Sequence, residues 1–252
     1  MQRGTAVVTG ASSGIGAATA VALAEAGFEL VLGARRLDRV REVATAAGGA
    51  RALPLDVTDQ SSVDAFCAEV PACNLLVNNA GGALGLDPIA EADEAKWQTM
   101  FDTNVLGVMR MTRALLPKLI ASGDGHVVAI GSIAGWEPYP GGAGYNAAKF
   151  AVRSVMAVLR QEVLGQPVRV TEIDPGMVET EFSLVRFDGD AARAAKVYEG
   201  VTPLRAQDVA ECVTFAATRP SHVNIDSMIV LARDQAGART VHRHPVEGAS
   251  EA

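Results

Sequence analysis

Short apolar runs rich in Val, Leu and Ile alternate with longer stretches of helical periodicity: GTAVVTG, GIGAATAVALAEAG, FELVLGA, RLDRVREVATAAG and RALPLDV. The short runs lack polar alternate positions, the pattern of strands covered on both faces. The alternation continues through NLLVNNAG, a helix around 94–120, GHVVAIGS, a helix beginning AGYNAAKFAVRSVM, VRVTEIDPG and SMIVLA. Such a succession predicts βαβ units with right-handed crossovers, and so an α/β fold with a seven-stranded parallel sheet. The site of such a sheet lies at the carboxyl ends of its strands.

The rhythm breaks between Glu179 and Thr202, just after a predicted strand end, where a lid over the substrate is expected. The closing HPVEGASEA is small, polar and aperiodic, so a domain of 1–243 followed by a frayed tail at 244–252 is expected. A chain of 252 residues, 49% hydrophobic and 5% aromatic, suits one large domain rather than two. The formal charge of −7 and the absence of Lys/Arg runs argue against a nucleic-acid partner. No long uncharged apolar run or leader-like start is present, so no membrane association and a cytoplasmic location are expected. Three cysteines without zinc-like spacing and four scattered histidines suggest reduced thiols and no metal site.

TGASSGIG follows the first strand and opens the first helix. Gly10 permits the turn, Gly14 admits a pyrophosphate against the backbone, and Gly16 allows close packing, while the helix N-terminus offers free N–H groups. Gly10, Gly14 and Gly16 depart from the common GxGxxG spacing, and a surface loop is the alternative. With this turn the sheet reads as a single doubly wound Rossmann domain. At the end of the second strand stands GARR, where an acidic residue would select ribose hydroxyls. Arg35 and Arg36 favour NADP instead, Arg35 the more so, since Arg36 also suits an exposed helix start.

In YNAAK, Tyr145 and Lys149 stand one helical turn apart, so the ammonium can approach the phenol. A tyrosine with a pKa near ~10 must drop about two to three units, roughly 3–4 kcal/mol, to serve as a base near neutrality. A neighbouring cation is one means. Ser132 ends a strand, where its hydroxyl can polarise a substrate oxygen or simply form a turn. Asn104 is a poor helix-interior residue that also suits a cap or kink.

Together with NNAG at 78–81, these motifs resemble the short-chain dehydrogenase/reductase family from residue 4 to about 243. The resemblance implies that Ser132, Tyr145 and Lys149 are catalytic and that Asn104 completes a proton relay through a held water. It implies cofactor contacts from the turn (Gly10, Ser12, Ser13, Gly14, Ile15, Gly16), from Arg35 and Arg36, and from Asp56 and Val57 beside the adenine. Asn78, Ala80 and Gly81, then Tyr145 and Lys149 at the nicotinamide ribose, continue the set. IDPGMVETEF adds Pro175, Gly176, Val178 and Thr180 near the nicotinamide, with Asp174 where many relatives carry Asn.

The later sequence, including TEFSLVRFDGD, is similar to NADP-dependent 3-hydroxy acid dehydrogenases acting on serine or 3-hydroxypropionate. Arg186 then suits a substrate carboxylate, although a surface or intersubunit arginine fits the residue equally. Trp136 and Tyr139 either wall the pocket or only pack. Reduction of ketoacyl or other bulkier carbonyl substrates is the alternative activity, and a dinucleotide-binding sensor is the alternative class. The family resemblance implies a homodimer or homotetramer using helices around 100–118 and 145–164.

Overall fold

A computed structural model describes residues 3–245. Seven parallel strands form the sheet: β1 (Thr5–Thr9), β2 (Glu29–Ala34), β3 (Arg51–Pro54), β4 (Leu75–Asn78), β5 (Gly125–Ile130), β6 (Val168–Pro175) and β9 (Ser227–Val230). Their number is the one the apolar runs predict, and they lie in the order β3-β2-β1-β4-β5-β6-β9. The order reverses between β1 and β4, which opens a crevice at their carboxyl ends.

Alternation along each strand explains two cores rather than one. Val7, Leu76, Val127 and Val170 face α3 (Gln60–Ala68), α5 (Gly107–Ala121) and α6 (Ala143–Glu162), packing with Phe66, Met111, Leu115 and Met156. Their neighbours Val8, Leu75, Val128 and Ile173 face α1 (Gly14–Glu25), α2 (Leu37–Ala46) and α9 (Ala206–Ala217), against Leu23, Val40 and Val213. Each such fully buried side chain contributes about 1.5–3 kcal/mol relative to exposure.

The helix expected around 94–120 is three segments: α4 (Glu94–Phe101), a wide π-type turn at Asp102–Leu106, and α5. Asn104 accounts for the widening. Its amide donates to Met100 O at 2.7 Å, competing with the backbone for the carbonyl one turn earlier. The segment 179–202 is not irregular: it holds α7 (Phe182–Arg186) and α8 (Ala191–Tyr198). Strands β7 (Val178–Glu179) and β8 (Leu204–Arg205) pair in parallel and clasp its two ends.

Arg243, the last residue of the expected domain, is tied to residues 197–199. Its guanidinium donates to Glu199 O and Val197 O, and His244 N donates to Gly200 O at 2.7 Å. Residues 246–252 of the expected tail lie outside the described residues. No helix among the described residues is long and apolar enough to cross a membrane.

Candidate active site

A cleft of about 820 Å³ runs over the crevice between β1 and β4, reaching from the Gly-rich turn to Tyr145. At one end Gly10 and Gly14 take φ of 65° and 55°, conformations that side chains resist. A Cβ on Gly10 would stand 2.8 Å from Ala80 Cα, and one on Gly16 2.4 Å from Asn79 Nδ2. That closeness lets two turns lock together. Asn79 donates to Thr9 O at 2.9 Å and Gly10 O at 3.2 Å, while Thr9 Oγ1 receives both Asn79 N and Ala80 N at 3.0 Å.

Helix α1 starts at Gly14 without a side-chain cap and without an acid in its first turn. Its free N–H groups therefore face the cleft, as a pyrophosphate requires. Beside them Arg36 reaches Ser13 Oγ at 2.7 Å and Ser12 Oγ at 3.1 Å, and pairs with Glu181 at 2.9 Å. Arg39 reaches the other Glu181 oxygen at 2.6 Å. Arg36, not Arg35, thus makes the side-chain contacts with the turn, because it is the N-cap of α2 and points back along it. Arg35 lines the same cleft. Nothing in the sequence pattern singled out Arg39 or Glu181; their partnership joins positions 142 residues apart.

Ile15, Asp56, Val57, Ala80, Gly81, Pro175, Gly176, Val178 and Thr180 line the same cleft. Asp56 braces its own loop through Thr58, whose Oγ1 lies 2.7 Å away. Gly176 is held by Gln235, whose Oε1 accepts from Met177 N at 2.9 Å. Three expected contact residues do not line the cleft. Asn78 ends β4 with its side chain turned into the helical layer, donating to Thr112 Oγ1 at 3.1 Å. Gly16 serves packing against Asn79 and the Gly10 carbonyl. Asn104 is buried, spanning Met100 O and both Gly82 backbone groups, at 2.9 Å for O and 3.2 Å for N.

At the other end Ser132 follows β5 and caps a short 3-10 turn, its Oγ accepting from Ala134 N at 3.1 Å. Its backbone N donates to Asp174 Oδ1 at 2.9 Å. Tyr145 sits on α6 in a dry pocket against Phe182, with ring centroids 5.6 Å apart. Burial raises its pKa; the Ser132 hydroxyl and the Arg186 charge act to lower it. Lys149 Nζ stands 5.8 Å from the Tyr145 ring centroid and donates to Ile130 O at 2.8 Å. The ammonium that the spacing placed near the phenol also binds the end of β5, and Arg186, likewise 5.8 Å from that ring, is a second cation beside it.

Burial brings Lys149 down to about 8, against the opposing pull of Glu172 and Asp174. Those two acids project from β6 on the α6 face and crowd Gly131, where a Cβ would meet Asp174 at 2.0 Å and Glu172 at 2.6 Å. Burial and the neighbouring Asp174 push Glu172 up to about 8. Arg153 completes the cluster by stacking on Trp136 at 3.3 Å, so Trp136 packs behind the site. Tyr139 does line the cleft and accepts from Arg186 Nη1 at 3.0 Å. Arg186 Nε donates to Gly85 O at 2.9 Å, and its buried Nη2 has no partner among the described residues.

A doubly wound sheet, a Gly-rich turn at its crevice and a Ser–Tyr–Lys set in the same cleft define a dinucleotide-linked oxidoreductase. The short chain dehydrogenase family model matches residues 4–189, and the chain belongs to that family. An uncharacterised oxidoreductase of Mycobacterium tuberculosis is 58% identical over 241 residues, covering 96% of each chain. Sulfoacetaldehyde reductase 2 of Chromohalobacter salexigens is 43% identical over 238 residues, covering 91% of this chain and 94% of that one. The closed form of a serine dehydrogenase complexed with NADP+ superposes with a TM-score of 0.89 at 40% identity, over 95% of this chain and all of the other.

Proposed function

We propose that the protein is an NADP-dependent oxidoreductase interconverting a small 3-hydroxy acid and its carbonyl form. One observation carries the substrate class: Arg186 presents an unpartnered, buried Nη2 in the pocket that holds Tyr145. Serine is itself a 3-hydroxy acid, and sulfoacetaldehyde likewise carries an anion one methylene from the reacting carbon. A guanidinium at this place suits either anion.

The uncapped α1 start, the glycines at positive φ and the Arg36–Ser12–Ser13 group fit NADP. Bound NADP supplies the hydride acceptor for oxidation and the donor for reduction. The chain's own groups do the rest. Arg186 fixes the substrate anion and so orients the hydroxyl-bearing carbon. Ser132 Oγ hydrogen-bonds the substrate oxygen, and Tyr145 takes its proton in oxidation or returns it in reduction. Lys149 keeps positive charge beneath the site and holds the nicotinamide ribose, and Asn104, its amide taken up by Met100 and Gly82, completes the relay by shaping the wide turn beside which a water would sit.

The segment 179–202 acts as the lid of a single catalytic unit extending through residue 243. Exposed Phe101, Phe150 and Val158 on α4 and α6 support a homodimer or homotetramer. Three unpaired cysteines support a cytoplasmic location.

Initial rates of NADP+ reduction with L-serine, 3-hydroxypropionate, 2-hydroxyethanesulfonate and 2-propanol test the reading. Turnover of the anionic alcohols is expected, with Arg186→Ala losing roughly 10–100-fold in kcat/KM for them, the worth of a charge-assisted contact, and little for 2-propanol. Preference for 2-propanol, or an equal loss on every substrate, would remove Arg186 from substrate recognition.

A further inference from the structure

Glu181 already fills the place that the phosphate end of the cleft offers to an anion. Its two oxygens take Arg36 Nη1 at 2.9 Å and Arg39 Nη1 at 2.6 Å, while Arg36 Nη2 holds the Ser12 and Ser13 hydroxyls. Two guanidinium groups meeting on one carboxylate, with two hydroxyls beside one of them, are the kinds of donor that a phosphate monoester uses. The three charged side chains are 40–47% exposed, so an anion from solvent can reach them. Held by both arginines, the Glu181 carboxyl is brought down to about 2 and is ionised at working pH.

The position of Glu181 in the chain matters as much as its charge. It is the residue before α7, whose first residue, Phe182, packs on Tyr145 and whose last, Arg186, carries the unpartnered Nη2. One short helix therefore joins the phosphate end of the cleft to its substrate end.

We propose that Glu181 is an internal competitor for the cofactor's 2′-phosphate: its carboxylate occupies the Arg36–Arg39 fork, yields it to the phosphate, and so untethers the start of α7 beside the substrate pocket. This rests on the NADP reading above. Carboxylate and phosphate cannot share the fork without repulsion, and the phosphate prevails through its greater charge and third acceptor oxygen. A cofactor with a 2′-hydroxyl makes no such demand and leaves Glu181 paired. Glu181 thus weakens NADP binding and narrows its advantage over NAD.

Calorimetric titration of NADP+, NAD+ and 2′-AMP into the wild type, Glu181→Gln and Arg36→Ala, with hydrogen exchange followed over 180–198, tests this. In Glu181→Gln, NADP+ and 2′-AMP are expected to bind about two- to thirtyfold tighter, the worth of two exposed ion pairs, and NAD+ within about twofold of wild type. Adding 2′-AMP should speed exchange at Phe182–Arg186 in the wild type, and the variant should exchange faster before any ligand is added. Unchanged or weaker NADP+ binding in Glu181→Gln, with Arg36→Ala still losing NADP+ affinity, would overturn the competitor and leave the NADP reading intact. A wild type that binds NAD+ and NADP+ equally and ignores 2′-AMP would overturn both.

Discussion

At the phosphate end of the cleft Arg36, Arg39 and Glu181 pair in the open, each at least 40% exposed, whereas at the catalytic end Tyr145, Lys149, Glu172 and Asp174 are all buried. The same kinds of charged group behave differently in the two settings. In the open, partners dominate: the two arginines bring Glu181 down to about 2. In the interior, burial dominates: it raises Tyr145, Glu172 and Asp174 and lowers Lys149. The exposed end is open to anions from solvent, while burial brings Lys149 and Glu172 at the other end to about 8.

The largest effect expected is Tyr145→Phe, which removes the proposed proton carrier and leaves the ring packed on Phe182. It should cost about 10²–10⁴ in kcat, the range for a positioned acid–base group. NADP+ affinity by titration should stay within about twofold, since the phosphate end is untouched. Retention of more than about a tenth of kcat would move the proton carrier elsewhere.

The sequence revealed most where one local rule decides the outcome. Seven strands followed from uninterrupted apolar runs, because a parallel sheet covered on both faces has no polar side to break them. The glycine turn followed from spacing, because its positive φ angles and close approach to Ala80 leave few alternatives. What escaped were partnerships closed by the fold. The Glu181–Arg36–Arg39 group joins residues on either side of five strands, and Glu172 and Asp174 read as alternate positions of an ordinary strand until α6 brings Lys149 beside them. Tyr145 and Lys149 show what spacing reaches: one turn apart on the helix, they bring the ammonium to 5.8 Å from the ring, whereas its bond to the Ile130 carbonyl was closed by the fold. The helical character of the lid was masked by Asp188 and Gly189 at positive φ between α7 and α8.

Next in size is the pH response of the buried end. Lys149 is charged below about 8 and loses its proton as pH rises through that value. The folded pKa of this base lies below its unfolded value of 10.5, so the unfolded chain binds the proton more tightly between the two. The group therefore costs stability fully below about 8, roughly 3 kcal/mol at about 1.36 per unit, and the cost fades as pH rises to its unfolded value. Activity is expected to run the other way, because the proposed mechanism uses the ammonium. A plot of kcat/KM against pH should fall above about 8, and Glu172→Gln, by removing an acid that supports the charge, should move that alkaline limb to lower pH. A limb that stays in place in Glu172→Gln would assign it to another group.

The smallest effect sharpens the contrast most directly, because added salt acts on one end of the cleft and spares the other. Screening shortens from about 10 Å at 0.1 M to about 3 Å at 1 M, and it weakens exposed pairs far more than buried ones. Raising NaCl from 0.1 M to 1 M should weaken NADP+ binding severalfold, since its added phosphate would rely on Arg36 and Arg39, while saturated kcat changes by less than about twofold. Arg36→Ala should flatten the salt response of NADP+ binding, and Arg35→Ala, whose side chain lines the cleft without touching Ser12 or Ser13, should leave most of it. An equal flattening by both variants would distribute the phosphate contact over the pair. A saturated kcat as salt-sensitive as NADP+ binding would mean that water reaches the Tyr145 pocket during turnover, and the two ends would no longer differ in kind.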